Sequence, residues 1–391
     1  MISREEIREL ADFQASKKAE CAVSFYFQPN TPQNKSHREE TILVKDLVRK
    51  SIQEAEKEGK NECVRSDLHR ILEIASGLHG NQARAKAIFA CNSRGLWKEF
   101  DLPPQFPGTQ IVVNRRFHLK PLAMLLGAQP TVNVVVLDRK RARFFTTRLD
   151  EISEREDFFH PLPRRGRSDG WGGYDGGHAE RRVNEEAMQH FKTLAEHLTM
   201  EVEKGMWDKL IVGSLEKNWH EFEPYLHPYV RQRLVGHFSA DVAEITPEKV
   251  RSKAQQILNT NLEHRRQELL KDVLSFAKSH RRGVTGLRRV LKSLELGEVQ
   301  ALLLGENYAA RGVECTSCGR LDAHLVKYCA LCGHSTRRLD DICEAIIPTA
   351  IRRDIEVFYL NNEELDKVGN IAALLRFRVG QGRNHQLAEA S

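Results

Sequence analysis

The 391-residue sequence is short of several things that would have placed it quickly. No apolar run approaches the length needed to span a bilayer, and Met1 to Leu10 is charged, unlike a secretory signal, so a cytoplasmic protein without a membrane partner is expected. The eight cysteines do not form the regular framework of a disulfide-stapled chain. Four of them, Cys21, Cys63, Cys91 and Cys343, are scattered among apolar neighbours and read as reduced core thiols. No P-loop or dinucleotide fingerprint is present, because no lysine or leading strand accompanies the glycines at 170–177. His220, His227 and His237 lack the His-Glu-x-x-His ligand spacing and read as ordinary histidines. No internal repeat is visible.

What is present describes a globular chain, with 40% hydrophobic and 29% charged residues. Its length allows two or three domains with their own cores, and the net charge of +6 permits an anionic partner. Periodicity divides the chain into three blocks: 1–129, 130–275 and 276–391. The first is mixed α/β, with strands at 21–27, 87–91 and 109–114 and helices at 40–55, 67–78 and 121–126. The second opens with a hairpin from 131–137 into 142–149, and has strands at 209–214 and 242–245 and helices at 222–234 and from Pro247 onward. The third has a helix at 287–294, a strand at 299–305, a helix at 339–350 and strands at 355–360 and 371–379. The tail beyond Gly380 is polar and expected to be disordered.

Within the second block, the segment 164–178 combines Arg164, Arg165 and Arg167 with six glycines and no apolar periodicity. From Val183 the apolar residues Ala187, Phe191, Leu194, Leu198 and Val202 repeat every three or four positions, which predicts a long helix with one buried stripe. A basic, glycine-rich loop held out from a rigid helix suits insertion into a phosphate-lined cavity, the arginines neutralising phosphate and the glycines allowing close backbone approach. A solvated surface loop has the same composition.

The second chemical signal is Cys315-Thr316-Ser317-Cys318 and Cys329-Ala330-Leu331-Cys332, each pair followed at once by glycine. Two such turns make a closed, four-thiolate zinc ribbon, which predicts one structural Zn²⁺ per chain and no open position for catalysis. A redox-active Cys-x-x-Cys normally stands alone at a helix start.

Together these pieces resemble the archaeo-eukaryotic peptide-chain release factors and the related Pelota proteins, most closely a bacterial branch that includes ribosome hibernation factors. Gly176-Gly177-His178-Ala179-Glu180-Arg181-Arg182-Val183 stands where release factors carry Gly-Gly-Gln, then an arginine and an apolar residue that open a long helix. Gly176, Gly177, Arg182 and Val183 match, and His178 replaces the glutamine. The run 283–304 (GVTGLRRVLKSLELGEVQALLL) resembles the opening of their third domain, and 368–378 (VGNIAALLRFR) its closing strand. The likeness covers most of the chain from about Phe89 onward.

The resemblance implies three release-factor-like α/β domains, the third carrying an inserted zinc ribbon. It implies a factor lying in the ribosomal A site, touching 16S and 23S rRNA, with Arg164, Arg165, Arg167, Gly176, Gly177, His178 and Arg182 near the peptidyl-transferase centre. Elongation factor Tu or another translational GTPase would be its partner. In those families the glutamine supports hydrolysis of peptidyl-tRNA, and an Asn-Ile-Lys-Ser motif reads stop codons. Here the corresponding region reads Asn61-Glu62-Cys63-Val64-Arg65-Ser66, and Asn34-Lys35-Ser36 comes too early. A chain without glutamine and codon reader is expected to occupy the A site without terminating translation, as a hibernation or rescue factor. The alternatives are a peptidyl-tRNA hydrolase using His178 as its catalytic residue, and an RNA-binding zinc-ribbon protein working off the ribosome.

Overall fold

The computed structural model describes residues 4–15, 20–28, 37–57, 61–77, 85–102, 108–126, 131–148, 151–159 and 176–378. Contacts group the chain into two units, 1–127 with 266–391, and 128–265.

The first unit begins with α1 (Arg4–Asp12), then β1 (Ala22–Phe27), α2 (His37–Lys57), α3 (Asn61–Gly77), β2 (Ala85–Cys91), β3 (Leu96–Leu102), β4 (Gln110–Asn114) and α4 (Lys120–Leu126). The strands form an antiparallel sheet in the order β3-β2-β1-β4. Central strand β1 is buried on both faces, which its apolar composition allows. Val23, Phe25 and Phe27 pack with Val44, Val48, Val64 and Leu68 of α2 and α3. Ala22 and Tyr26 belong to the opposite face's core, with Ile7 and Leu10 of α1. Cys21, expected as a free thiol, is disulfide-bonded; Cys91 and Cys343 are free and buried as expected.

The second unit holds β5 (Val132–Leu137), β6 (Arg141–Arg148), β7 (Glu151–Phe159), α5 (Gly176–Glu203), β8 (Lys209–Gly213), α6 (Glu216–Phe222), α7 (Pro228–Arg231), β9 (Leu234–Phe238) and the start of α8 (Pro247–Lys278). Its sheet runs β7-β6-β5-β8-β9, with β5, β8 and β9 parallel and β6 and β7 antiparallel additions. Phe191, Leu194, Leu198 and Val202 of α5 cover one face together with Val135, Phe144 and Val212. Val250 and Ala254 of α8 cover the other with Val134, Phe145 and Ile211.

Two expectations fail in this unit. The helix at 222–234 is replaced by short helical turns and β9, because Pro224 and Pro228 each remove an amide donor and restart the chain. The strand at 242–245 is a turn leading into α8, in which Asp241 accepts from the Ala243 amide. Edge strand β7 escaped the sequence reading, since its residues EISEREDFF carry charge rather than a clean apolar alternation.

The remainder of the first unit comprises β10 (Gly283–Thr285), α9 (Leu287–Glu295), β11 (Val299–Gly305), β12 (Gly312–Cys315), β13 (Leu321–Asp322), β14 (Thr336–Leu339), α10 (Cys343–Arg352), β15 (Glu356–Leu360), α11 (Glu363–Lys367) and β16 (Ile371–Leu375). One sheet has the order β10-β16-β11-β15, and a small one has β13-β12-β14. Leu302 and Leu304 of β11 and Ile346 of α10 share the core that also holds Ile7 and Leu10. The helix expected at 339–350 starts four residues later, because Thr336–Leu339 completes the small sheet as β14. The tail beyond Gly380 lies outside the described residues.

Candidate functional site

The long helix α5 begins at Gly176, seven residues ahead of the first apolar position of its stripe, so Gly177, His178 and Arg182 lie in its first two turns. Arg164, Arg165 and Arg167 lie outside the described residues. At 28 residues the helix is about 42 Å long at 1.5 Å per residue, and its C-terminal end is held by more than its apolar stripe.

That end is tied by a buried polar network. Glu201 accepts from Arg155 Nη1 at 2.8 Å, from Asn133 Nδ2 at 3.0 Å and from the Trp207 indole at 2.9 Å. Arg155 Nη2 also donates to Asn133 Oδ1 at 3.1 Å. The carboxylate is thus satisfied from β5, β7 and the turn after α5, which such a buried charge requires. Nearer the helix start, Arg139 in the β5–β6 turn donates to Asn184 Oδ1 at 2.6 Å and pairs with Glu221 at 3.2 Å. No sequence motif announces these residues, whose partners stand far apart in the chain.

Among the other histidines, His227 caps α7 by accepting from the Tyr229 amide. His237 stacks on Trp219 and meets the Ser214 hydroxyl at 3.1 Å, while Glu216 stays 3.9 Å from its other nitrogen. Ser214 is fully buried, so this trio is a packing arrangement rather than an accessible nucleophile.

The cysteine pairs do come together. Sγ of Cys315, Cys318, Cys329 and Cys332 all lie within 4.8 Å of one another, able to hold a metal ion. Individual separations are 3.4 Å (Cys315 to Cys332), 3.7 Å (Cys318 to Cys329) and 3.5 Å (Cys332 to Cys318), too long for disulfides. Four thiolates around Zn²⁺ at about 2.3 Å would stand about 3.8 Å apart, so the donor set fits a tetrahedral zinc.

Each pair is shaped by its trailing glycine. Gly319 and Gly333 have φ of +71° and +74°, and their amides donate to the carbonyls of Cys315 and Cys329 at 3.2 and 2.9 Å. That left-handed backbone folds the chain around the sulfurs and favours glycine. The Cys318 amide, 3.5 Å from Cys315 Sγ, leads in pushing the Cys315 thiol down to about 6. The Cys332 amide does the same for Cys329, whose thiol is also lowered. Both shifts favour the thiolate, the form that ligates metal. At Cys318, by contrast, the lowering by the Arg320 amide is outweighed by hydrogen bonds to the neighbouring sulfurs and by burial, which push its thiol up to about 12.

The cluster's base is anchored by Glu314, buried beside Cys315. It accepts from Arg116 Nη1 at 3.1 Å and Arg337 Nη2 at 2.6 Å. Close to Arg116, His118, Lys120, Asp341, Cys343 and Glu344 line a small pocket. Burial, reinforced by the Lys120 charge, pushes His118 down to about 4, while burial raises Glu344.

Residues 118–259 match the bacterial archaeo-eukaryotic release factor family 10, a span that includes the glycine-rich segment and α5. The chain is 25% identical over 298 residues to peptide chain release factor subunit 1 of Thermococcus onnurineus, covering 68% of this chain and 71% of the relative. To the same factor of Thermococcus sibiricus it is 27% identical over 302 residues, with coverages of 68% and 71%. Among solved structures it is similar to an archaeal translation termination factor (17% identity, 96% and 99% of the two chains, TM-score 0.27). It is also similar to Archaeoglobus fulgidus Pelota (13% identity, 78% and 82%, TM-score 0.33). Over residues 118–259 the chain is thus similar to the bacterial archaeo-eukaryotic release factors, and over about two thirds of its length to archaeal peptide chain release factor subunit 1.

Proposed function

We propose that this release-factor-like chain binds in the ribosomal A site and does not hydrolyse peptidyl-tRNA, serving in hibernation or rescue. The observation that carries the reading is the start of α5, where Gly176-Gly177 is followed by His178 in place of glutamine. The glycines keep the small cross-section needed to approach a crowded RNA cavity. The histidine presents its nitrogens at a different distance from the backbone than a glutamine amide does, which misplaces a hydrogen-bonding group by roughly an ångström. The firm hold on Glu201 suits a probe that must carry its tip into a fixed site.

In this reading Arg164, Arg165, Arg167 and Arg182 neutralise 23S rRNA phosphates, and 1–129, 130–275 and 276–391 act as three domains, the first nearest 16S rRNA. Delivery by elongation factor Tu or another translational GTPase, and a cytoplasmic location, belong to the same proposal. Among the described residues no helix is long and apolar enough to cross a membrane. The four cysteines hold one structural Zn²⁺, a closed site without catalytic work.

The test is co-sedimentation with 70S ribosomes over a range of salt. Replacing Arg164, Arg165 and Arg167 by alanine should weaken binding and lower the salt slope by about one per lost phosphate contact. Absence of wild-type co-sedimentation at low salt would remove the reading.

A further inference from the structure

The cysteine cluster carries a surface that its metal-holding geometry does not require. Leu325, Val326, Tyr328 and Leu331 are exposed by 49, 39, 69 and 66%, four large apolar side chains within seven residues. They sit on one hairpin: the Thr336 amide donates to the Lys327 carbonyl at 2.9 Å, Tyr328 bridges Ser335, and Leu331 occupies the turn between Cys329 and Cys332. Solvent-facing positions of a small ribbon are ordinarily polar, so such a concentration marks a contact surface.

Its charge indicates the partner. Between Ala323 and Leu339 the chain has Lys327, Arg337 and Arg338 and not one carboxylate. Arg337 is engaged by Glu314 at 2.6 Å. Lys327 and Arg338 are exposed, and among the described residues neither has a carboxylate partner. Size argues the same way. A stable protein complex buries roughly 800 Å² on each partner, far more than one seven-residue hairpin offers. An unpaired nucleobase needs only one aromatic ring, an apolar shelf beside it and a cation for the adjoining phosphate.

We infer that the hairpin 325–331 is a binding site for single-stranded RNA, with Tyr328 stacking on an unpaired base, Leu331 as the apolar shelf, and Lys327 and Arg338 taking the flanking phosphates. Affinity comes from stacking and charge, so the site reads single-strandedness rather than sequence. It is separate from the segment at 164–178 and does not depend on the ribosome reading.

The experiment uses the full chain and a fluorescein-labelled single-stranded RNA dodecamer in fluorescence anisotropy, with the blunt duplex of the same sequence as comparison. It is run both with the native loop and with Arg164, Arg165 and Arg167 replaced by alanine, so that the loop cannot mask the hairpin. The single strand should bind more tightly than the duplex. Tyr328→Ala should weaken it by about tenfold or more, and Tyr328→Phe should keep it, since the ring rather than the hydroxyl does the stacking. Lys327→Gln should lower the salt slope by about one. Leu331→Ser serves as a second, independent probe, and circular dichroism checks that each variant is folded. Failure of the wild type to bind the dodecamer overturns the inference, as does unchanged binding by both Tyr328→Ala and Leu331→Ser. If those variants instead lose ribosome co-sedimentation while binding the dodecamer normally, the patch docks on a ribosomal protein, and the RNA assignment is wrong although the ribosome reading stands.

Discussion

Arg155 on β7 and Glu201 on α5 form a two-point ion pair, with Nη1 to Oε1 at 2.8 Å and Nη2 to Oε2 at 3.4 Å, and only 4% of the Glu201 side chain is exposed. This pair joins an edge strand to the C-terminal end of the helix whose first residue is Gly176. Removing the carboxylate leaves Arg155 uncompensated and the Trp207 indole without its acceptor. Glu201→Ala should therefore destabilise the second unit by about 3 kcal/mol, read from chemical denaturation. A change below about 0.5 kcal/mol, the range of ordinary surface substitutions, would show that the network does not hold the helix.

Metal analysis of the purified protein should give one zinc per chain. Cys318→Ser should abolish it and lower the thermal midpoint, because a structural zinc contributes folding free energy directly. A zinc-free protein with an unchanged melting curve in the variant would contradict the assignment.

Gly319→Ala and Gly333→Ala force a side chain into a backbone with φ of +71° and +74°. Each should cost about 1 kcal/mol and weaken zinc retention against a chelator, although no neighbouring atom obstructs the added methyl. Unaltered retention in both variants would mean that the turns do not depend on glycine.

His118 makes stability depend on pH. Its folded value of about 4 lies below the ordinary 6.5, so between these limits the unfolded chain binds more protons. The stabilisation is complete above about pH 6.5 and is lost as pH falls toward 4, amounting to about 3 kcal/mol at most. Glu344, raised by burial in the same pocket, acts in the opposite sense above its ordinary 4.5. The comparison is therefore wild type against His118→Gln across pH 7 to 4.5, where the variant should show the flatter decline. Parallel curves would mean that His118 is not held neutral.

What the sequence made legible follows from how each signal is written. The four cysteines are readable because paired thiols three residues apart, each pair trailed by glycine, encode a local turn whatever the fold around it. The stripe Ala187, Phe191, Leu194, Leu198 and Val202 is readable because one helical face repeats along a single segment. Helix α1, with Ile7, Leu10 and Ala11 buried among charged residues, is too short for its periodicity to stand out. The onset of α5 at Gly176 carries no apolar residue to mark it. The Glu201 and Glu314 networks draw partners from distant stretches of chain, and no spacing announces a contact made only by tertiary packing. Cys21 was misread for a similar reason: apolar neighbours indicate burial but not bonding state.

The most direct test of the account is peptide release from ribosome-bound peptidyl-tRNA, with and without a stop codon, comparing wild type, His178→Gln and His178→Ala. The wild type and the alanine variant should both fall about a hundredfold or more short of an active release factor, the loss expected from a misplaced catalytic group. Release appearing only in the glutamine variant would identify a competent scaffold whose native residue withholds the chemistry. Robust wild-type release that His178→Ala abolishes would contradict the account and make His178 the catalytic residue, acting as a base on the attacking water.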